Sequence, residues 1–515
     1  MSLLPADLLL YGSRVLTLDP HLSEAEAVAI SNGKIIAVGS ERELKPFVAS
    51  RTQFFSCAGK TILPGFIDPH LHFFAWASRF CGLDLSTARS IAAMRQQLVD
   101  HLSRARAEEW LRGYGYDEFF LVEKRHPTRQ DLDLVTTDRP ILVRHRTGHA
   151  AVLNSVALHR IGIDREFQSP IGGFVEKDDN GEPTGVLYEM EPFLRAILPP
   201  LAREDFVSSL KQAGVELLRQ GVTSFHDASA GNTLADFYAF RRLHEDGVFV
   251  SRATVMIGSE GLPHLLASRL TPFAGDEYVR LGSVKIMLHE SRGEITPPPE
   301  KVAEIVRTAH RHGLQVAIHA VEEGPVCVAL EAIAQAQAND PRVDHRHRIE
   351  HCSLCPPPLI DALVGTGSVV VMQPGFLHAY GDKYAAEIAP ELHGWLYRTK
   401  SLRECGVPVA GSSDCPVSPV APLLGISAAM TRRSRSGVLL NEEESLSLFD
   451  ALALFTSAGA WVGFEERDKG RIAPGMMADL AVLDGDMTLV TPAEIAEMRV
   501  QTTIIGGKIV WDARN

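Results

Sequence analysis

Five side chains able to hold a metal ion stand at the ends of short apolar runs in this chain. The sharpest case is Pro64-Gly65-Phe66-Ile67-Asp68-Pro69-His70-Leu71-His72. Side chains alternate along a strand, so His70 and His72 point to the same side, just past an apolar run. Two imidazoles placed so suit a borderline metal such as Zn²⁺. Val316-Ala-Ile-His319, Arg348-Ile-Glu-His351 and Val409-Ala-Gly-Ser-Ser-Asp414 end three further runs in an imidazole, an imidazole and a carboxylate. A bare His-x-His is cheap and fits a polar loop equally well. His310-x-His312 lies on a helical pattern, where residues two apart diverge, and His345-x-His347 precedes its strand. Lys285 sits inside the apolar run Ser283-Val-Lys-Ile-Met-Leu288. Lysine is rarely buried without a partner, although a snorkelling or salt-bridged lysine remains the bland account. Metal-capable groups ending four separate strands are hard to explain as a packing accident.

Something must bring those strand ends together. The candidate strands are Thr61–Ile67, Gly221–His226, Ser251–Ile257, Ser283–Leu288, Leu314–Ile318, Arg348–His351, Ser368–Met372 and Val407–Ser412. Amphipathic stretches such as Phe206–Arg219 and Glu300–His312 lie between them. Eight strands alternating with helices predict a (β/α)8 barrel, in which active sites lie at the carboxyl ends of the strands. A doubly wound open sheet has the same periodicity. Roughly 150 residues separate the first two strands, too many for one loop, so an α/β subdomain is expected at about 76–205. The chain ends differ from the middle: short strands and tight turns, such as Ser31-Asn32-Gly33 and Gly506-Gly507, fill both. One β-sandwich built from 1–62 plus 465–515 is expected beside a barrel spanning 63–464.

Composition narrows the function. Of 515 residues, 51 are Lys or Arg and 64 are Asp or Glu, giving a net charge of −13. That balance argues against a nucleic-acid partner. No run approaches the ~18–20 apolar residues of a membrane span. The N-terminus lacks the basic region of a signal peptide. Seven cysteines, an odd number, suit free thiols in the cytoplasm. Cys352-x-x-Cys355 lacks a second cysteine pair and reads as inert. No Gly-x-Ser-x-Gly elbow points to a serine hydrolase.

Together the motifs resemble the amidohydrolase superfamily, and more narrowly its branch of YtcJ-like hydrolases and N-substituted formamide deformylases. The resemblance extends to Arg144-His-Arg-Thr-Gly-His-Ala-Ala-Val-Leu-Asn154, Met372-Gln-Pro-Gly-Phe-Leu377, Ser413-Asp-Cys-Pro-Val417 and Gly470-Arg-Ile-Ala-Pro-Gly-Met-Met-Ala-Asp-Leu480. It implies a distorted (β/α)8 TIM barrel beside a sandwich made from both termini. It also implies two zinc ions: His70, His72 and Asp414 on one, His319 and His351 on the other, with an N-carboxylated Lys285 bridging them. His149, Asn154, Glu290, Glu322 and Gln373 are the candidate substrate-binding residues, and the insertion is expected to cover the barrel mouth. The chain departs from the branch at His289-Glu290 and at Ala320-Val-Glu-Glu-Gly-Pro325, which leaves one metal open beside two.

The expected chemistry is hydrolysis of a C–N bond in an amide or N-substituted formamide. A metal lowers the pKa of bound water from ~15.7 towards ~7, and Asp414 serves as the catalytic base. Two rivals use the same residues: a one-metal deaminase of a heterocycle or amidine with Glu322 as proton donor, and an esterase or lactonase. The expected partner is a small molecule, and a homodimer is the assembly suggested by the resemblance and by the commonness of two-fold assemblies.

Overall fold

A computed structural model describes residues 4–103, 110–170, 172–291 and 293–514. The chain divides into two compact units, Met1–His72 with Gly214–Asn515, and Phe73–Ala213.

The first unit contains the barrel. Its strands are β1 (Phe66–Leu71), β2 (Val222–Asp227), β3 (Arg252–Gly258), β4 (Val279–Met287), β5 (Val316–Ala320), β6 (Arg348–His351), β7 (Val369–Met372) and β8 (Val409–Gly411). They pair in that order, every neighbour parallel. Leu71 pairs with Cys415 in parallel. Asp414 N donates to His70 O at 2.8 Å and His72 N to Cys415 O at 2.7 Å, joining the last strand's end to the first. These strands are almost wholly buried, as a sheet covered by helices requires.

Thr61–Ile67 is two strands, not the single one that its apolar run suggests. Thr61–Pro64 belongs to another sheet, where it pairs with Leu480–Leu483 and with Arg14–Asp19. The break is at Gly65, where an added Cβ would lie 2.3 Å from the Thr223 side chain. Only glycine lets the chain pass that close to β2.

Thr61–Pro64 is a central strand of a six-stranded sheet that draws on both chain ends, Arg14–Asp19 and Leu22–Ala25 from one, Leu480–Leu483, Val500–Ile505 and Lys508–Asp512 from the other. A four-stranded sheet, Lys34–Gly39, Ala27–Ser31, Leu8–Tyr11 and Gln53–Ser56, packs against it. Leu10, Val28, Ile30, Ile62, Leu480 and Ile504 share the core between them. The hairpin at Asn32-Gly33 has φ of 50° and 75°, and that at Gly506-Gly507 has 56° and 74°. Such turns match the twist of the flanking strands.

The second unit holds a mixed six-stranded sheet, ordered Phe174–Lys177, Pro183–Tyr188, Ala150–Leu153, Ile141–His145, Leu111–Tyr116, Leu83–Asp84. Helices such as Ile91–Leu102 and Ser155–Arg160 accompany it, and it buries two apolar clusters of its own. Its extent, Phe73–Ala213, is wider than 76–205 because the first helix starts directly after His72 and the helix Arg203–Arg219 crosses its far boundary. Among the described residues no helix is long and apolar enough to cross a membrane.

Candidate metal centre

The carboxyl ends of the barrel strands carry the six expected ligands. One nitrogen of His70, one of His72 and one oxygen of Asp414 lie within 4.8 Å of one another. His72 Nδ1 is 3.1 Å from Ser229 Oγ and its Nε2 is 3.1 Å from Asp414 Oδ1. His70 Nε2 is 3.5 Å from the same oxygen. The His351 ring lies 5.0 Å from that of His70, and the His319 ring 4.4 Å from that of His351. Lys285, on β4, is buried and interacts electrostatically with Asp414, His70 and His351.

Local backbone shape aims two of these groups. On β6, Arg348 and Glu350 share the interior face, so a regular continuation would turn His351 outward. His351 instead has φ of 78°, and Asp414, beyond β8, has φ of 54°. Left-handed backbone at non-glycine residues costs of order 1–3 kcal/mol and is concentrated at functional sites.

The electrostatics suit a cation. Burial, with the nearby Lys285 charge, pushes His70 down to about 3, and burial lowers His351. Both are therefore neutral at pH 7, the form that ligates metal. Burial alone would raise the Asp414 carboxyl, but the His72 hydrogen bond and the other imidazoles hold it below the ordinary range, ionised. Burial pushes Lys285 down to about 8. Two buried atoms, Lys285 Nζ and His351 Nε2, have no hydrogen-bond partner among the described residues. The orphaned His351 Nε2, a lone pair beside an ionised carboxylate and other neutral imidazoles, is what a metal would satisfy, and Lys285 could join it only as a carbamate, so the donor set fits one.

A model of the amidohydrolase family matches residues 53–511. The chain belongs to the amidohydrolase family. This amidohydrolase is 28% identical to YtcJ of Bacillus subtilis (strain 168), over 98% of this chain and 99% of that one. It is 26% identical to the N-substituted formamide deformylase of Arthrobacter pascens, over 98% of each. The solved structure of an uncharacterized metal-dependent hydrolase from Pyrococcus horikoshii OT3 is 25% identical, with a TM-score of 0.76 over 94% of this chain and 99% of that one. This chain is accordingly a metal-dependent hydrolase.

Two charged residues that the sequence reading left without a role underpin this amidohydrolase's centre. Glu350 is fully buried and its Oε2 accepts from His70 Nδ1. Arg348 donates from Nε to Glu350 Oε1 at 2.7 Å and from Nη2 to Oε2 at 3.1 Å, and also to Pro69 O at 2.7 Å. A buried Arg-x-Glu on an otherwise apolar strand was the available signal.

The expected substrate contacts divide. Gln373 faces one expected ligand: its Oε1 accepts from His351 Nδ1 at 2.8 Å and its Nε2 donates to Ser412 Oγ at 3.0 Å. It is fully buried, and its bond to His351 Nδ1 is the contact that orients that ring. Asn154 is corrected. Its Oδ1 accepts from Ile141 N and Ala157 N at 2.9 and 3.0 Å, and its Nδ2 donates to Thr136 O and Arg139 O at 3.2 and 2.9 Å. Every polar position is taken, so it caps the helix Ser155–Arg160 and pins the surrounding loops. His149 is 46% exposed with Nδ1 2.7 Å from Glu189. Arg144 pairs with Glu191 at 3.0 Å, and Arg146 with Asp117. Glu290 lies on the hairpin after β4, where its carboxylate reaches the start of the helix Glu323–Asn339, which Glu322 precedes: an added Cβ on Gly324 would lie 2.8 Å from Glu290 Oε2.

Other candidates resolve into structure. His347 Nε2 is 2.8 Å from His310 Nδ1, His310 Nε2 is 2.6 Å from Asp340 O, and His345 Nε2 is 3.0 Å from Thr366 O. With His312 Nδ1 2.8 Å from Thr308 O, these bonds occupy both remaining His-x-His motifs without metal. Asp227 accepts from Asn232 Nδ2 at 2.7 Å. Cys352 and Cys355 are buried free thiols. Asp117, Glu118 and His145 cluster in the second unit, but Arg146 and the imidazole lie against the carboxylates, which makes an ion-pair network sufficient.

Proposed function

We propose that this amidohydrolase cleaves the C–N bond of a small amide, of the N-substituted formamide type. The observation that carries this reading is the pair of orphaned atoms, Lys285 Nζ and His351 Nε2, beside the His70–His72–Asp414 cluster. His70, His72 and Asp414 would hold one zinc ion and His319 and His351 a second, with Lys285 joining them as its carbamate. A neutral amine is needed to add carbon dioxide, and burial makes that form more accessible by lowering Lys285 from 10.5 to about 8. Zinc at such a centre activates water and polarises a carbonyl oxygen.

The chain's own part is proton handling and positioning. Asp414, held ionised beside His72, would take the proton as water adds to the carbonyl carbon. It would return that proton to the nitrogen as the C–N bond breaks, leaving a carboxylic acid and an amine. Glu290 and Glu322, which follow β4 and β5, would meet the substrate's leaving portion. The deformylase relative supports the formamide type.

The test is metal content per chain together with product analysis for a panel of formamides and amides. Near two zinc equivalents, with amine and acid released in equal amounts by wild type and not by Asp414→Asn, are expected. One equivalent with ammonia released from a ring or amidine would replace this reading with the one-metal deaminase. Wild-type turnover in metal-loaded Asp414→Asn would remove the role given to that carboxylate.

A further inference from the structure

We infer that Glu350 is a positioning residue that sets the tautomer of His70, with Arg348 as the clamp that keeps Glu350 charged and fixed. The inference rests on the reading of His70 as a metal ligand and concerns how this chain prepares it.

An imidazole binds metal through a nitrogen that carries no proton, and the hydrogen bond made by the other nitrogen decides which one that is. His70 Nδ1 lies on Glu350 Oε2. An ionised carboxylate can only accept, so the proton sits on Nδ1 and Nε2 presents a lone pair. That lone pair faces Asp414 Oδ1 at 3.5 Å. Two electron-rich atoms so placed are favourable only with a cation between them.

Glu350 is not a neighbour of His70 along the sheet. β6 and β1 are separated by β7 and β8, so the carboxylate reaches across the barrel interior. Arg348 holds it there by two contacts and is itself fixed by two more. Arg348 grips both its oxygens, at 2.7 and 3.1 Å, while the same guanidinium donates to Pro69 O, one residue before His70, at 2.7 Å. Arg348 Nη1 is further fixed 3.1 Å from His226 Nδ1 on β2. The clamp thus ties the orienting carboxylate and the backbone of the ligand strand to one rigid group. All four side chains are buried. A bidentate Arg–carboxylate pair in this setting keeps its geometry and its charge.

The isosteric variant Glu350→Gln separates tautomer control from mere packing. Gln offers one oxygen. Arg348 presents two donors on its side, so the amide oxygen turns to Arg348 and the NH₂ group to His70. His70 Nδ1 must then accept, which moves its proton to Nε2, the atom meant for metal.

The experiment uses the full chain, stripped of metal, with zinc affinity measured by competition against a chromophoric chelator. Glu350→Gln is expected to weaken zinc binding by about 10–100-fold. Nitrogen chemical shifts of ¹⁵N-histidine-labelled, metal-free protein provide the independent readout. The resonance pair missing from His70→Ala should show a protonated Nδ1 in wild type and a protonated Nε2 in Glu350→Gln. Zinc affinity within twofold of wild type, or an unchanged tautomer, would overturn the inference. Undiminished zinc in His70→Ala would overturn the ligand set itself, a separate failure. Should Glu350→Gln fail to fold, Arg348→Met with Glu350→Leu removes both charges together and is expected to show the same loss of affinity.

Discussion

Replacing Lys285 with methionine should stabilise the metal-free protein while disabling its metal centre. Lys285 is buried on β4 and its amine has no hydrogen-bond partner among the described residues. Burial pushes it from 10.5 to about 8. At about 1.4 kcal/mol per pH unit, the protonated side chain costs the fold about 3 kcal/mol at pH 7. The folded value lies below the unfolded one, so the unfolded chain holds more protons between about 8 and 10.5. The cost is therefore full below pH 8 and fades as pH rises towards 10.5. Methionine has similar length and no charge, so Lys285→Met should recover about 2–3 kcal/mol at pH 7 and much less at pH 10. The assay is the urea midpoint of chelator-treated, bicarbonate-free protein at both pH values, with zinc stoichiometry in parallel. A methionine variant no more stable than wild type at pH 7, or one whose advantage does not shrink with pH, would refute the reasoning.

Three other outcomes are expected. Gln373→Leu should release His351 Nδ1 and weaken the second zinc equivalent by about 10–100-fold, visible as a split in the chelator titration. Asn154→Ala removes a helix cap and four hydrogen bonds, two of them buried, and should destabilise the second unit by about 2–4 kcal/mol, read by hydrogen exchange around 136–157, with zinc content unchanged. In metal-free protein, His70 and His226 are pushed by burial to about 3 and about 4 from 6.5, so the unfolded chain gains protons first as pH falls through 6.5. The urea midpoint should accordingly drop between pH 6.5 and 4.5, partly offset by Asp68, which burial pushes up to about 6; a flat profile would contradict the burial of these imidazoles.

Strand identity was readable because barrel strands are apolar runs ending in residues that no core would choose. Lys285 stood out for the same reason. What the runs concealed was the seam at Gly65, since a sandwich strand and a barrel strand are apolar alike and only a close approach to Thr223 separates them. The site's ligands were legible as residue types at strand ends. Their supports were not, because Glu350 touches His70 from a strand that is neither adjacent in sequence nor paired with it. Period-two reasoning also turns His351 away from Glu350's side, and the left-handed kink that turns it back has no signal in a histidine. Asn154 and Gln373 were singled out as polar residues within motifs, yet a motif cannot say whether an amide faces a substrate or a backbone.

The position of Thr61–Pro64 between Arg14–Asp19 and Leu480–Leu483 has a consequence for synthesis on the ribosome. The strand that leads directly into His70 and His72 is made early, but one of its two flanking partners emerges only after roughly four hundred further residues. At about 5–20 residues per second, that is a wait of roughly 20–80 s. Throughout that interval the strand feeding the metal-binding end has an apolar edge to shield. Loss of the last few dozen residues would remove none of the proposed ligands, yet it would leave the nascent chain unable to seat the first of them.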